Sequence, residues 1–358
     1  MVPSSNSSDG IQNNVERYFW ASYFLFGLFS SLIGDTLILI ASFQRDAFKI
    51  NKLLVTIIQH IAISDLGNAL NFLLPTTISL LANAWILGDG WCYFALYTLY
   101  FLYPAGMSLI AVLTTSKCLI LRYPLRVASW TRKRVHVVCS LIWAFSVLNS
   151  LIHLAVDKAD IHFQYRIYNC EYRYKKVVWK YLNPVVFLIY GVVPNIIVLV
   201  TTAPTLKYLA YAGKSARQVQ GSIPRQGALT VALTAAVYSI STLPFPIYQV
   251  VMNFIKEDPT KSVHATIHRV IYFVLMINII SNFYIYTLTI KSFRRFLLSK
   301  VVSVVPDSLQ YRGSQCSTLQ QVGIALTHKV ILISQHRHFY LITHTHLHSC
   351  IQFFSEPF

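Results

Sequence analysis

The sequence predicts an all-α membrane protein: a seven-transmembrane helix bundle with a short amphipathic eighth helix. Hydrophobic residues make up 55% of the chain and charged residues only 12%. A helix needs roughly 20 mostly apolar residues to cross the hydrocarbon core. Backbone groups in lipid must pair with one another, which favours helices in such stretches. Seven stretches of this kind follow one another with short connections, at approximately residues 19–43, 53–82, 93–121, 135–156, 181–206, 227–254 and 266–290.

Positive charge is concentrated on alternate connections, and this pattern predicts the orientation. Cations near the ends of the spans favour the cytoplasmic side. The rule therefore places the N-terminus outside and the C-terminal tail in the cytoplasm. The net charge of +17 is explained by these inner segments, so nucleic acid is not an expected partner. Against a single acid, Asp46, the inner segments carry Arg45, Lys49, Lys52, Arg122, Arg126, Arg132, Lys133, Arg134, Lys207, Lys214, Arg217, Arg225, Lys291, Arg294, Arg295 and Lys300.

The organisation follows from these spans. Residues 1–18 form an extracellular N-terminus that carries a glycosylation acceptor at Asn6. The membrane domain covers 19–290. Residues 291–300 place Phe293 on an apolar face and cations on the other face, as in a helix that lies on an anionic lipid surface. Residues 301–358 form a cytoplasmic tail that we expect to be disordered.

Two of the six cysteines are candidates for a disulfide bond. Cys92 opens the third span and Cys170 lies in the next outer loop, where disulfides persist. A bridge between them would hold that loop over the mouth of the bundle. The loop alternates aromatic and β-branched residues with a period near two, which predicts a short hairpin.

Ionisable and amide residues occur at membrane depth, where they are costly and are read as functional by default. Asp35 lies in the first span, Asp65 in the second, and Asn278 and Asn282 in the seventh. Structural hydrogen bonding between helices is one interpretation. The other is a buried switch in which Asp65 holds a sodium ion or a proton. Two nearby carboxylates cannot both ionise cheaply without a cation, so we expect one to be protonated or a cation to bridge them.

Prolines and tyrosines inside the spans suggest where the bundle bends and where it binds. Pro194 and Pro244 remove backbone donors from the fifth and sixth spans and are candidate hinges. Tyrosines in the outer halves combine apolar area with a hydroxyl and suit a ligand pocket. Ordinary packing between helices is the alternative. These tyrosines are Tyr97, Tyr100, Tyr103, Tyr248 and Tyr272.

Over approximately residues 19–300 the chain resembles the rhodopsin-like G-protein-coupled receptors. The longest shared string is Asn282-Phe283-Tyr284-Ile285-Tyr286, which is similar to the Asn-Pro-x-x-Tyr motif with Phe283 in place of proline, followed by Phe293-Arg294-Arg295-Phe296. The other matching positions are Gly34-Asp35, with Asp in place of Asn, and Asp65, Cys92, Trp143, Cys170, Pro194 and Pro244.

The resemblance also exposes departures. The Asp-Arg-Tyr of the third helix corresponds to Ser116-Lys117-Cys118, so the charge pair that holds many relatives at rest is missing. Pro224 replaces the usual acid near the sixth helix, and Thr242 replaces the tryptophan two residues before the helix-six proline. These changes favour raised basal signalling.

The resemblance implies a receptor whose ligand binds between the outer helix ends. Leu99 occupies the amine-binding position and Met276 the retinal-bearing position, so monoamines and retinal are not expected. The six candidate ligand residues are Leu99, Met276, Tyr100, Tyr103, Tyr248 and Tyr272. The implied ligand is a neuropeptide or a small chemosensory molecule, and the implied partner is a heterotrimeric G protein. Tyr286 would act with the buried polar residues in activation. The inner residues that would contact the G protein are Lys117, Arg122, Leu125 and Arg217.

The rival interpretation is a seven-helix transporter or channel in which Asp35 and Asp65 bind a coupling ion. Transporters usually show an internal repeat and broken midplane helices, and no repeat is visible. We do not expect an enzyme, because the spans contain no His, Asp and Glu set with metal-ligand spacing.

Overall fold

In the computed structural model, seven helices among the described residues are long and apolar enough to cross a membrane. The structure describes residues 14–44, 47–48, 51–156, 160–165, 167–173, 182, 184–215, 222–254 and 262–304. The seven-helix bundle expected from the sequence is confirmed, and the predicted boundaries differ from the observed ones by up to nine residues, at the inner end of the fifth span. Throughout, "outer" denotes the end of the bundle at which the first helix begins.

The first four helices are nearly continuous. TM1 covers Asn14–Phe43. TM2 runs from Lys52–Asn68 through a π-helical turn at Ala69–Leu73 into Leu74–Ala82. TM3 covers Gly88–Arg122, and a short helix, Pro124–Ala128, follows it. TM4 covers Arg132–Val156.

The last three spans are interrupted near their middles. TM5 contains a π-helical turn, Leu188–Val192, followed by Val193–Ser215. TM6 consists of Ser222–Thr242 and Pro244–Phe254. TM7 consists of Ser262–Leu275 and Ile277–Thr289, and Lys291–Val304 forms the next helix.

The candidate hinge prolines lie at these interruptions. Pro194 follows the π-helical turn of TM5, and Pro244 begins the outer segment of TM6. A proline ring clashes with the carbonyl four residues earlier and removes a helix hydrogen bond. A second TM5 proline, Pro204, lies inside a continuous helix and was not among the candidates.

The predicted hairpin is present between TM4 and TM5. Strand β1 (Asp160–Gln164) pairs antiparallel with β2 (Asn169–Arg173), and Phe163 lies opposite Cys170. The turn is fixed to the bundle: the Tyr168 hydroxyl donates to Asn83 Oδ1 over 2.9 Å, and Asn169 Nδ2 donates to Thr76 Oγ1 over 2.9 Å.

Small residues allow TM1 and TM7 to approach closely. Adding a Cβ to Gly34 would place it 2.5 Å from Cγ of Phe283, and adding one to Gly27 would place it 2.6 Å from Cδ1 of Ile280. The Phe283 ring therefore occupies the space that Gly34 leaves open. Phe293 is also fully buried and stacks on Phe48, with ring centroids 4.9 Å apart.

Candidate functional site

A cavity opens between the outer halves of the helices, beneath the hairpin. About 800 Å³ of empty space lies among its lining side chains, the open mouth included. TM3 contributes residues three or four apart, which lie on one face of a helix. The described lining residues are Leu96, Leu99, Tyr100, Tyr103, Pro104, Met107, Asn149, Ile167, Cys170, Glu171, Val186, Phe187, Tyr190, Gly191, Phe245, Pro246, Gln249, His268, Tyr272, Leu275 and Met276.

Five of the six candidate ligand residues line this cavity. They are Leu99, Tyr100, Tyr103, Tyr272 and Met276. The sixth, Tyr248, is not among the lining residues but stacks on His268, with ring centroids 5.2 Å apart and a 19° angle between planes. Tyr97, from the same predicted face of TM3, is also not among the lining residues.

Sequence reasoning missed the contributions of TM4, TM5 and TM6 to the cavity. Tyr190 satisfied the criterion that selected the TM3 tyrosines, whereas Phe187 and Phe245 are aromatic residues of the outer helix ends that lack the hydroxyl which that criterion required. Asn149 offered the same signal as the other intramembrane amides. Its Nδ2 donates to the Tyr100 carbonyl over 3.0 Å.

The disulfide bond between Cys92 and Cys170 is confirmed. Their Cα atoms are 5.6 Å apart, and the bond joins the outer end of TM3 to strand β2. Both cysteines are buried with Leu96 and Ile161. Because Cys170 and Glu171 also line the cavity, the bond helps to hold the hairpin in place as its roof.

The buried polar residues gather inside the bundle. Asp35, Asp65, Asn278 and Asn282 are each at most 5% exposed. Asn282 Nδ2 donates to Asp65 Oδ2 over 2.7 Å, and the Ser31 hydroxyl donates to Asp35 Oδ2 over 2.5 Å. The Asp65–Asn282 bond joins TM2 to TM7, and Asp35 and Tyr286 interact electrostatically with Asp65. We define the polar cluster as Asp35, Asp65, Asn282 and Tyr286; Asn278 is buried on the same helix as Asn282.

This polar cluster leaves acceptor atoms unused. Asp35 Oδ1 and the Tyr286 hydroxyl are buried and have no hydrogen-bond partner among the described residues. Oxygen ligands of this kind suit a hard cation. The donor set is therefore compatible with a sodium ion beside Asp65. Among the described residues, no group of three or more His, Cys, Asp and Glu could hold a metal ion.

A relay of hydrogen bonds through Trp143, His60 and His136 joins TM2 to TM4. Trp143 Nε1 donates to His60 Nδ1 over 3.1 Å, and His60 Nε2 lies 3.3 Å from His136 Nδ1. Indole nitrogen is only a donor, so His60 Nδ1 must accept and His60 Nε2 carries the proton. That proton is then donated to His136. The three side chains form one chain of hydrogen bonds with a single set of tautomers.

At the inner end, Lys117 is buried at 8% exposure, whereas Leu125 is 89% exposed on the short helix after TM3. Arg122 ends TM3. In the described part of the structure no carboxylate lies within ion-pair distance of Lys117. The fourth candidate contact, Arg217, and the candidate glycosylation site, Asn6, lie outside the described residues.

TM5 and TM6 are tied together beside their prolines. Asn195 Nδ2 donates to Thr242 Oγ1 over 3.1 Å and to the Gly191 carbonyl over 2.9 Å. The Thr242 hydroxyl lies 2.8 Å from the Tyr238 carbonyl, to which it donates. Asn195 was not a candidate from the sequence, although it directly follows Pro194.

The comparisons agree with this architecture. The family model described as "7 transmembrane receptor (rhodopsin family)" matches residues 34–286, more than two thirds of the chain. No curated protein matches the sequence significantly. The matched region includes the disulfide, the outer cavity and the polar cluster. The chain therefore belongs to the rhodopsin family of seven-transmembrane receptors.

Proposed function

We propose that this receptor binds a small extracellular molecule in the outer cavity and activates a heterotrimeric G protein at its inner face. The observation that carries this proposal is the cavity, which five of the six candidate ligand residues line beneath a disulfide-fixed hairpin. A concave, mostly apolar pocket with a few polar groups is typical of small-molecule sites. The proposal includes an external N-terminus, as expected from the charges.

The composition of the lining favours a small chemosensory molecule over a neuropeptide. A peptide brings many backbone donors and acceptors, each of which needs a partner when buried. Aromatic and aliphatic side chains form most of the described lining. Apart from the tyrosine hydroxyls, its amide, carboxylate and imidazole groups belong to Asn149, Glu171, Gln249 and His268. A compact apolar ligand makes better use of such walls.

The ligand acts by binding one arrangement of the bundle more tightly than another. The hinge regions at Pro194 and Pro244 lie on two helices that line the cavity, and the inner segment of TM6 continues towards the cytoplasm. Outward movement of that segment would uncover the inner end of TM3. Lys117, Arg122 and Leu125 would then contact the G protein, as the family resemblance implies.

Lys117 also supports raised basal signalling. A buried cation without a carboxylate partner destabilises the arrangement that buries it. Its burial at 8% exposure, with no carboxylate in ion-pair distance among the described residues, therefore favours an arrangement that exposes it. The polar cluster is proposed to oppose this movement when a sodium ion occupies the site beside Asp65.

Nucleotide exchange tests the proposal. The receptor, reconstituted in lipid nanodiscs, is mixed with purified heterotrimers of each major class, and exchange is measured with and without candidate small molecules. Exchange above that of empty nanodiscs is expected, and Leu125→Asp should abolish it while ligand binding persists. Exchange equal to empty nanodiscs for every heterotrimer would contradict the proposal. Ligand-independent ion flux in proteoliposomes would instead support the transporter or channel.

A further inference from the structure

One hydroxyl in the wall of the outer cavity has no partner. The hydroxyl oxygen of Tyr103 is buried and makes no hydrogen bond with any described residue. Tyr103 lines the cavity together with Tyr100, Pro104 and Met107 of the same helix. Long side chains on a helix lean towards its N-terminus, which for TM3 is the outer end. The ring therefore leans towards the outer end of TM3, and the side chain forms part of the cavity wall.

The depth of this hydroxyl distinguishes it from groups at the rim. Tyr103 lies 11 residues after Cys92, which places its Cα ~16 Å along the helix axis at 1.5 Å per residue. Water reaches such a depth less readily than it reaches the hairpin. A buried polar group without a partner is unusual in proteins and calls for an explanation such as an absent ligand.

Other polar groups around the cavity are already engaged. Asn149 Nδ2 donates to the Tyr100 carbonyl, and the Tyr190 hydroxyl donates to the Phe145 carbonyl over 3.4 Å. Gln249 Nε2 and His268 Nε2 are 3.5 Å apart, at hydrogen-bond distance. These contacts need no ligand. Among the described lining residues, Tyr103 is the one with a fully buried side-chain polar atom that has no hydrogen-bond partner.

The hydroxyl of Tyr238 is not the missing partner of the Tyr103 hydroxyl. Tyr238 on TM6 is fully buried, and its hydroxyl donates to the Met107 carbonyl over 3.5 Å. It makes no hydrogen bond with Tyr103. The Tyr238 oxygen could still accept a proton while donating to Met107, but it is not bonded to Tyr103, so the Tyr103 hydroxyl lacks a partner among the described residues.

The charges of the lining limit what the ligand carries. The described lining contains no Lys or Arg, and its carboxylate, Glu171, belongs to the hairpin that roofs the cavity. Arg269, next to His268, forms an ion pair with Glu16 over 3.3 Å. A charged group at the depth of Tyr103 would be buried without a countercharge, which is strongly unfavourable.

We propose that the cavity binds neutral, mostly apolar molecules that carry one hydrogen-bond acceptor, such as a ketone carbonyl, and that the Tyr103 hydroxyl donates to that acceptor. The inference rests on the proposed function because it takes this cavity as the ligand site. The apolar body of the ligand packs against the surrounding rings of Tyr100, Phe245 and Tyr272. The single acceptor gives the ligand its orientation.

Ketones and their exocyclic-methylene analogues test this proposal, because each pair has nearly the same shape and differs in the acceptor. The probes are acetophenone with α-methylstyrene, benzophenone with 1,1-diphenylethylene, and cyclohexanone with methylenecyclohexane. Binding to the purified receptor in nanodiscs is measured directly, with empty nanodiscs as the control for partition into lipid. The variants are Tyr103→Phe and the matched Tyr23→Phe, whose hydroxyl donates to the Phe273 carbonyl over 3.3 Å and which is not among the described lining residues.

We expect Tyr103→Phe to lower the ratio of ketone affinity to alkene affinity by about 2- to 12-fold for at least one pair, as loss of one neutral hydrogen bond predicts. Tyr23→Phe should preserve the ratio of the unmodified receptor. The proposal is overturned if no ketone binds the unmodified receptor, or if the ratio of every pair is the same in Tyr103→Phe. Thermal unfolding of both variants checks that they fold.

This experiment separates the inference from the proposed function. Binding is measured without a G protein, so absent nucleotide exchange leaves the ketone ratios unchanged. If the affinity ratios are as expected but no heterotrimer responds, the proposed G-protein activation is wrong and the inferred ligand class is supported. If exchange responds to ligands yet the ratios do not depend on Tyr103, the receptor function stands and the ligand class is wrong.

Discussion

Asn195 and Thr242 connect TM5 to TM6 through a buried hydrogen bond of 3.1 Å, one residue after Pro194 and two residues before Pro244. The bond lies where both helices depart from regular α-helical geometry. Thr242 occupies the position at which the family resemblance leads one to expect tryptophan. This chain therefore has a hydrogen bond between TM5 and TM6 at the position where the family resemblance leads one to expect a tryptophan ring.

Thr242→Val keeps the shape of the side chain and removes the hydroxyl. Hydrogen bonds between membrane helices contribute about 0.6 kcal/mol on average and at most about 1.7 kcal/mol. Loss of the tie should therefore shift the equilibrium ~3- to 18-fold towards the arrangement that lacks it. We expect basal nucleotide exchange to rise. Thr242→Ser, which keeps the hydroxyl, is the control, and equal basal exchange in the Val and Ser variants would show that the tie does not restrain TM6.

The polar cluster predicts a sodium effect that depends on Asp65. A cation that binds only the folded receptor raises its thermal stability, by about 1.4 kcal/mol for a tenfold excess over Kd. Unfolding is measured in sodium chloride and in choline chloride at equal ionic strength. We expect stabilisation by sodium in the unmodified receptor and in Asp35→Asn, and none in Asp65→Asn. Loss in both variants would mean that the two carboxylates hold the ion together.

The close approach of TM1 and TM7 predicts a large effect of a single methyl group. In Gly34→Ala the new Cβ would lie 2.5 Å from Cγ of Phe283, so the ring must move. Overpacking of this kind costs about 1–3 kcal/mol, measured as a lower unfolding temperature. Gly90→Ala, where nothing lies within 4 Å, should have little effect. Adding Phe283→Ala to Gly34→Ala should relieve the clash. We therefore expect the double variant to lose less stability than the sum of the losses in the two single variants.

The disulfide predicts a joint loss of stability and ligand binding. Replacing both Cys92 and Cys170 with Ser removes a link between positions 78 residues apart in sequence. Loss of a native disulfide typically costs about 2–5 kcal/mol, and here it also frees the hairpin that roofs the cavity. Both the unfolding temperature and the affinity for the ketone probes should fall. Cys118→Ser, which changes a free cysteine of TM3, should alter neither. An intact affinity without the bond would show that the hairpin holds its place by packing alone.

The relay from Trp143 through His60 to His136 predicts coupling between TM2 and TM4. Trp143→Phe removes the donor and leaves His60 Nδ1 without that partner, at a cost of about 0.5–1.5 kcal/mol. His60→Ala removes the acceptor and the donor to His136 together. The double variant should lose less stability than the sum of the single variants, as measured by thermal unfolding. Strict additivity would mean that the two side chains do not act as a unit.

The sequence alone predicted the features that depend on residues close together in the chain or on the chemical type of single residues. The length of apolar stretches predicted the seven spans, because each helix satisfies its own backbone. Alternation of aromatic and β-branched residues predicted the hairpin around Cys170. The position of Pro194 and Pro244 predicted breaks in TM5 and TM6, since a proline disturbs a helix wherever it occurs.

The pairing of distant side chains was decided only by packing of the helices. Asp65 and Asn282 are 217 residues apart, and their 2.7 Å hydrogen bond depends on the rotation of TM2 and TM7 about their axes. The rotations of TM3 and TM6 likewise place Tyr103 in the described lining of the cavity and leave Tyr97 and Tyr248 out of it, although all three satisfied one criterion in the sequence. Composition determines that a helix lies in the membrane, whereas packing against its neighbours determines which side chains meet.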